Sequence, residues 1–586
     1  MTIPAQLSQQ VTKALKSILG DALPEGFTSA AVTASQDLRF GDYQSNAAMV
    51  LAKQVRMNPR ELAGKVIEEL SKECSIAQVE IAGPGFINFR ITPEYYAERM
   101  AAMLHDERLG VPVTDTPKTL VIDFSAPNVA KPMHVGHIRS TIIGDTLARL
   151  ARFMGHTVIT DNHIGDWGTQ FGMILWGWKH LLNQDELTAD PIEALLAVYK
   201  KVNAMCKEDP QLLVDCKAEL VKLQSGDAEN LDIWKRCIEV TKIGLEKIYN
   251  RLDIHFDYWL GESFYNDALE PLVNDLLNKG IASVSDGAVC IFSDGYHKPQ
   301  QDPFLVSKDG QWQPVPAIIR KADGGFLYAT TDLATLDYRI AHFNADSIWY
   351  VVGAPQEKHF KQIFDIERMR GVQGDFRHVA FGSILGHDRR PFKTRDGETV
   401  SLQDVIDEAI SRARKVVEEK SPDMPEDEKL HVANAVGVGA IKFAELSQNR
   451  LSDYIFDWDK MLALSGDTAP YLQNSYVRVR SIFRKLDSGF TPAESITLQE
   501  DAEIHLARLL SRYAETVPAT LDDCRPNILA AYLYDLARAF HSFYEACPVL
   551  KSEGSVREGR LSLCELTARV LKQGMGLFGI EMPDRM

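Results

Sequence analysis

The chain of 586 residues is 45% hydrophobic and 25% charged, ordinary globular proportions that argue against extensive disorder and leave room for several domains of roughly 100–200 residues. Against 64 Lys and Arg stand 81 Asp and Glu, a formal charge of −17 that excludes an all-over basic coat but not a local basic face for nucleic acid. Eight cysteines without a Cys-x-x-Cys pair exclude a zinc ribbon and a disulfide framework, and no apolar run of about 18 residues offers a membrane span, so free buried thiols in a reducing, cytoplasmic setting are expected.

The first residues alternate at helical spacing (Leu7, Val11, Leu15, Ile18) and lack the continuous apolar stretch of a signal peptide. Residues 1–112 read as a small α+β domain. Helical periodicity covers Ala5 to Leu19 and Pro59 to Leu70, and strands at 79–81 and 86–91 flank the turn Gly83-Pro84-Gly85. The stretch 111–117, with Pro112 and Pro117, is a linker. Residues 119–124 suit a buried parallel strand, Val135 to Phe153 a helix ended by Gly155, and 157–160 a second strand, together one βαβ unit. Strand character returns at 347–352 and 378–382, so an α/β domain spans 113–390. Within it residues 180–250 are polar and strongly helical, part of a helical insertion placed at about 180–300. Residues 391–465 form a loop and a helical connecting region, and 466–586 a helical bundle. The expected fold class is multidomain, α/β plus all-α, with a parallel-sheet domain split by a helical insertion.

The loop after the first strand carries the most specific string, Ser125-Ala126-Pro127-Asn128-Val129-Ala130-Lys131-Pro132-Met133-His134-Val135-Gly136-His137. In a parallel α/β sheet such a loop faces the ligand crevice, and the helix behind it offers free N–H groups and positive potential. His134 and His137, three apart, share a face of the first turn and suit phosphate oxygens as charge builds on them. Gly136 lets a flat base or ribose approach the backbone, and Lys131 adds a cation. The same pair of histidines could bind a metal or merely cap a helix, although no acid stands at zincin spacing.

Residues 125–145, with the string Asp161-Asn162-His163-Ile164-Gly165-Asp166-Trp167-Gly168-Thr169-Gln170-Phe171-Gly172, closely resemble arginyl-tRNA synthetases of bacterial type, in class I. The resemblance runs over essentially the whole chain. Phe40-Gly41-Asp42-Tyr43-Gln44-Ser45-Asn46 looks like the family's N-terminal domain, implied to touch the tRNA elbow, and Gly579-Ile580-Glu581-Met582-Pro583 is similar to its C-terminal end. It implies a split Rossmann-type catalytic domain and a helical anticodon-binding domain at 466–586. The class's second signature is matched only loosely, by Lys393, Thr394 and Arg395, with Arg395 where a lysine is usual; the family then implies that Lys131 takes over.

From the resemblance, arginine and ATP form arginyl-adenylate and pyrophosphate, and the 3′-terminal ribose of tRNA(Arg) takes the arginine. His134, His137 and Lys131 are the implied catalytic residues. His134, Gly136, His137, Lys393, Thr394 and Arg395 bind ATP. A guanidinium needs planar, paired acceptors. Asn128, Tyr328, Asp332, Gln356 and, by a looser carry-over, Asp123 are the implied arginine contacts; Asp332 could equally cap a helix. Residues 471–485 carry Arg478, Arg480, Arg484 and Lys485 and no acid, which suits tRNA phosphates but also a solvated face. Tyr532, Tyr534, Phe540, Phe543 and Tyr544 stand at helical spacing, and most of them are expected in the core rather than stacked on bases. Magnesium is expected with the nucleotide, with no zinc, no membrane partner and a monomer. A tRNA-free nucleotidyltransferase would have no use for the flanking domains, and a non-catalytic RNA-binding paralogue would be expected to lose His134, His137 or Asp332.

Overall fold

The computed structural model describes residues 1–72, 74–189, 191–390, 400–486 and 489–586. Two compact units divide the chain. One combines Met1–Val113 with Leu472–Asp522 and Ala531–Gly574; the other combines Thr114–Tyr471 with Asp523–Ala530 and Met575–Met586.

In the first unit, helix starts follow one local rule: a short polar side chain caps, and a proline fills the first turn. Thr2 before Ile3–Leu19, Asn58 before Pro59–Leu70 and Thr92 before Pro93–Leu104 each accept from a backbone N–H. A further helix, Ala47–Val55, was not legible in the sequence pattern. These helices accompany an antiparallel sheet in the order Thr33–Ala34, Tyr43–Ser45, Phe86–Ile91, Ala77–Ala82. Asp42 accepts from Ile91 N–H at 2.8 Å and pairs with Arg508 at 2.5 Å, while the Tyr43 hydroxyl donates to Glu515 at 2.7 Å. Asp42 and Tyr43 thus bind the N-terminal sheet to the helix Asp501–Asp522; of that string, Phe40 stays exposed. Arg569 donates to the carbonyls of Leu104 and Asp106 at 2.7 and 2.6 Å. Tyr532, Phe540 and Phe543 are core residues.

The second unit is built on a four-stranded parallel sheet in the order Asp375–His378, Ser347–Tyr350, Thr119–Asp123, Thr157–Asp161. Leu120, Val121 and Ile122 form the apolar run that a strand covered on both faces requires. The chain passes from Thr119–Asp123 outward to Thr157–Asp161 on one side, and the later strands build outward on the other. The reversal therefore lies between Thr119–Asp123 and Ser347–Tyr350, and the crevice at their carboxyl ends is where ligands bind in such sheets.

Arg339 crosses beneath that end, fully buried, and donates to Asp123 at 2.7 Å and Asp161 at 2.8 Å. This corrects the reading of Asp123 as an arginine contact: its carboxylate is buried and already paired with an internal guanidinium. The last sheet strand is Asp375–His378, a few residues before the expected 378–382. The expected helix from Val135 is a 3₁₀ turn, Val135–His137, leading into the α-helix Ile138–Phe153.

The described residues of the insertion form the helices Thr169–His180, Gln184–Ala189, Pro191–Glu208, Pro210–Gln224 and Ala228–Arg251, but the helical character does not run up to residue 300. Beyond helix Asn266–Asn278 it forms the antiparallel strands Ala282–Ser285, Ala288–Ile291 and Ala317–Arg320 and a hairpin, Leu305–Lys308 with Gln311–Pro314. Strands of four residues leave too little alternation to read; Gln311–Pro314 is exposed throughout and Ala288–Ile291 has no exposed residue. Their buried side chains, Val289, Ile291 and Ile319, share one core with Leu276, Leu333, Ile348 and Tyr350. Among the described residues no helix is long and apolar enough to cross a membrane.

Candidate active site

The crevice begins with backbone strain. Ser125, Ala126 and Ala130 have φ of +74°, +46° and +58°, which non-glycine residues adopt at a cost. Buried hydrogen bonds over-determine them. Ser125 N–H donates to Ser140 Oγ at 2.8 Å, Ser125 Oγ pairs with Tyr249 OH at 2.7 Å, Ala126 N–H donates to Asn162 Oδ1 at 3.1 Å, and Ala130 N–H donates to Thr241 Oγ1 at 3.1 Å. Ser140 Oγ also donates to the Val351 carbonyl at 2.6 Å, tying the first loop to the opposite wall of the crevice.

On this platform His134 caps the turn Val135–His137. Gly136 N–H donates to His134 Nδ1 at 3.1 Å, and His134 N–H donates to His137 Nδ1 at 3.1 Å. The ring centroids stand 4.1 Å apart. Burial holds both imidazoles neutral. It lowers His134, helped by Lys131, and pushes His137 down to about 4, helped by His134. With each Nδ1 accepting a backbone proton, each neutral ring carries its own hydrogen on Nε2. The turn therefore presents two neighbouring, uncharged N–H donors. Gly136 is exposed, and a Cβ there would sit 2.8 Å from the His134 ring. Lys131 holds its ammonium over the Tyr199 ring, 5.0 Å from the centroid.

A main-chain clamp that the sequence did not signal adjoins the histidines. Val135 N–H donates to the Val400 carbonyl at 3.0 Å and Leu402 N–H to Met133 at 2.9 Å, with His134 opposite Ser401. Residues 400–402, which follow Lys393, Thr394 and Arg395 in sequence, are thereby fastened to the loop that carries His134. Lys393, Thr394 and Arg395 themselves lie outside the described residues.

A second group of side chains is acidic. Tyr328 and Asp332, four apart, share a face of the helix Tyr328–Phe343. Asp332 accepts from His359 Nε2 at 2.5 Å, so it is not the helix's N-cap, which is Leu327. Residues 258–263 lie along the string that follows strand Thr157–Asp161. Asn162 N–H donates to Tyr258, Leu260 N–H to Asp161 Oδ1 at 3.0 Å, and Glu262 N–H to Ile164 at 3.2 Å. Asp166 is occupied by Ser263, through its N–H at 2.8 Å and its Oγ at 2.6 Å. This zipper brings in Glu262, which the sequence did not single out. Burial foremost, with Asp166 and Asp332 adding to it against the pull of His163, pushes the Glu262 carboxyl up to about 7. Tyr328 is raised by burial and then by Glu262, although 71% of it is exposed. Asn128 lies on the rim, its Oδ1 against Gly165, where a Cβ would meet it at 2.3 Å. Gln356 is exposed at the turn before helix Glu357–Met369. Among the described residues no three His, Cys, Asp or Glu converge as a metal site.

In the other unit, Arg478, Arg484 and Lys485 are exposed. Arg478 meets His541 Nδ1 at 2.9 Å. Arg480 differs: it pairs with Glu565 at 3.0 Å and lies over the Phe483 ring, which makes it a packing contact within the helices.

Comparison with known proteins gives three adjoining matches: "tRNA synthetases class I (R), catalytic domain" over residues 99–458, "Arginyl tRNA synthetase N terminal domain" over 5–91 and "DALR anticodon binding domain" over 472–586. The arginine–tRNA ligase of Laribacter hongkongensis is 43% identical over 98% of this chain and 100% of its own. That of Erwinia tasmaniensis is 44% identical over the full length of both. Among solved structures, arginyl-tRNA synthetase from Plasmodium falciparum superposes with a TM-score of 0.81 at 28% identity, covering 100% of each chain.

Proposed function

The chain belongs to the class I arginyl-tRNA synthetases and charges tRNA(Arg) with arginine, and from that premise we propose how its residues divide the work. The α-carboxylate of arginine attacks the α-phosphorus of ATP, and pyrophosphate leaves with the bond that breaks. His134 and His137 donate their Nε2–H groups to phosphate oxygens as negative charge moves toward the leaving group. Lys131 swings from Tyr199 to the triphosphate, and Gly136 admits the nucleoside. Lys393, Thr394 and Arg395 meet the phosphates, as the resemblance of their sequence to the second signature implies. The terminal ribose, through its 2′-hydroxyl as class I membership implies, then attacks the activated carbonyl and AMP departs. Magnesium comes with ATP as part of the substrate.

Arginine enters with its guanidinium toward Asp332 and Glu262, whose planar acceptors match its fork. Tyr328, Asn128 and Gln356 line the remainder. Arg478, Arg484 and Lys485 contribute phosphate contacts to tRNA, and Asp123 serves from below by fixing Arg339. The enzyme works as a monomer in the cytoplasm, a reading supported by seven buried free cysteines suited to a reducing compartment.

One observation carries the phosphate half of this reading: both Nδ1 atoms are occupied by backbone N–H groups, so both Nε2–H groups are committed as donors. The test is arginine-dependent adenylate formation, in the presence of tRNA(Arg), by His134 and His137 variants. Loss of rate with arginine binding retained supports it; wild-type rates in both would defeat it.

A further inference from the structure

We infer that His359 is a positioning residue for arginine selection: it pins one oxygen of Asp332 so that the other faces the incoming guanidinium. The inference rests on the proposed role of Asp332 and extends it to a residue that touches no substrate.

The geometry is compact. His359 Nε2 stands 2.5 Å from Asp332 Oδ2, and the two side chains are only 25% and 19% exposed. An ionised carboxylate only accepts, so the imidazole supplies the hydrogen. The ring has little freedom to let go. It packs edge-on to Phe360, with centroids 5.3 Å apart, and Phe360 is itself wedged between Tyr350 and His378, each at 4.8 Å. His359 also stands three residues after Gln356, the helix's N-cap, so the two share one face of the first turn.

A free carboxylate on the first turns of a helix rotates about χ2 and samples several acceptor directions. Holding Oδ2 removes that freedom and leaves Oδ1 as the open acceptor. This favours a ligand whose donors lie in one plane at fixed spacing. A guanidinium gains from an acceptor held in register, whereas an ammonium, a compact point charge with rotatable donors, gains almost nothing. His359 therefore acts on discrimination as well as on affinity.

The experiment compares three variants of the full-length enzyme with tRNA(Arg) present, reading KM for arginine, KM for ATP, kcat and the inhibition constant of lysine. Asp332→Asn tests the underlying reading; an unchanged arginine KM there removes the pocket assignment and the inference with it. His359→Phe keeps the ring beside Phe360 but deletes the donor. The arginine KM should rise about 10-fold or more, by analogy with the loss of a partner that orients a metal-ligating side chain, with ATP KM and lysine inhibition unchanged. His359→Gln returns an N–H at similar reach and should recover most of the arginine KM. If Asp332→Asn weakens arginine while His359→Phe does not, the positioning role is overturned and the pocket stands. If both His359 variants raise the KM values of arginine and ATP together, His359 is only a packing residue and the inference also fails.

Discussion

Replacing His137 with Asn separates two jobs that Ala would remove together. The Asn carboxamide oxygen can accept from His134 N–H, as His137 Nδ1 does at 3.1 Å, but nothing in it reaches the Nε2 position. The lost contact is a neutral donor on a charged phosphate, because burial, with His134 adding to it, pushes His137 down to about 4. Such a bond is worth about 1.5–3 kcal/mol, and removal of a donor preorganised for transition-state charge costs about 2.7–4 kcal/mol. A loss of about 2–3 kcal/mol then slows adenylate formation by about 30–150-fold. Single-turnover pyrophosphate release with saturating arginine, ATP and tRNA measures it, and ATP affinity should change little. The same residue has a signature in acid. The folded chain keeps His137 neutral while the unfolded chain binds a proton below about 6.5. Its share of stability is therefore intact above that pH and lost as pH falls to about 4, by about 3 kcal/mol. His137→Asn should lose less stability over that window in urea titrations. A wild-type rate in the Asn variant would refute the donor role. A wild-type enzyme that slows as pH rises from about 5 to 7 would refute its neutrality.

Other perturbations reach other parts of the argument. The Glu262 carboxyl, raised to about 7 chiefly by burial, must ionise to meet a guanidinium, so arginine affinity should climb as pH rises to about 7 and then level. Glu262→Gln should flatten that profile and cost about 2–5 kcal/mol in arginine binding by calorimetry; an unchanged profile would exclude the residue from the pocket. Arg339→Met leaves Asp123 and Asp161 buried without their cation, and the unfolding free energy should drop by about 3–5 kcal/mol. Lys485→Gln should flatten the dependence of log tRNA affinity on log salt by about 0.7–0.9. Arg480→Gln, which removes the pair with Glu565, should leave that slope alone and cost at most about 1 kcal/mol of stability; the opposite pattern would exchange their roles.

What could be read in advance depended on distance along the chain. Thr119–Asp123 and Ser347–Tyr350 were visible as short apolar runs because strands covered on both faces must be apolar throughout, and His134 and His137 because a turn places them together. Glu262 was not visible. It follows a helical insertion and reaches the site through hydrogen bonds, most of them from the main chain, to residues 160–166, a pairing that leaves no composition or spacing behind. The fastening of 400–402 to 133–135 is invisible for the same reason, being main chain to main chain. Asp123 misled because an acid at the end of a first strand looks available; the arginine that takes it stands 216 residues away. Arg480 belonged with its basic neighbours by sequence and was separated from them only by Glu565 on another helix.

The first compact unit joins Met1–Val113 to helical segments that begin at Leu472, and this has a consequence during synthesis. About 360 residues must be translated between the two, which at 5–20 residues per second takes roughly 20–70 s. For that interval Asp42 lacks Arg508, Tyr43 lacks Glu515, and the carbonyls at the end of helix Pro93–Leu104 lack Arg569. The nascent N-terminal sheet therefore waits at the ribosome with these polar groups still without their partners. A chain ending before residue 472 should aggregate or be degraded rather than accumulate as a stable fragment.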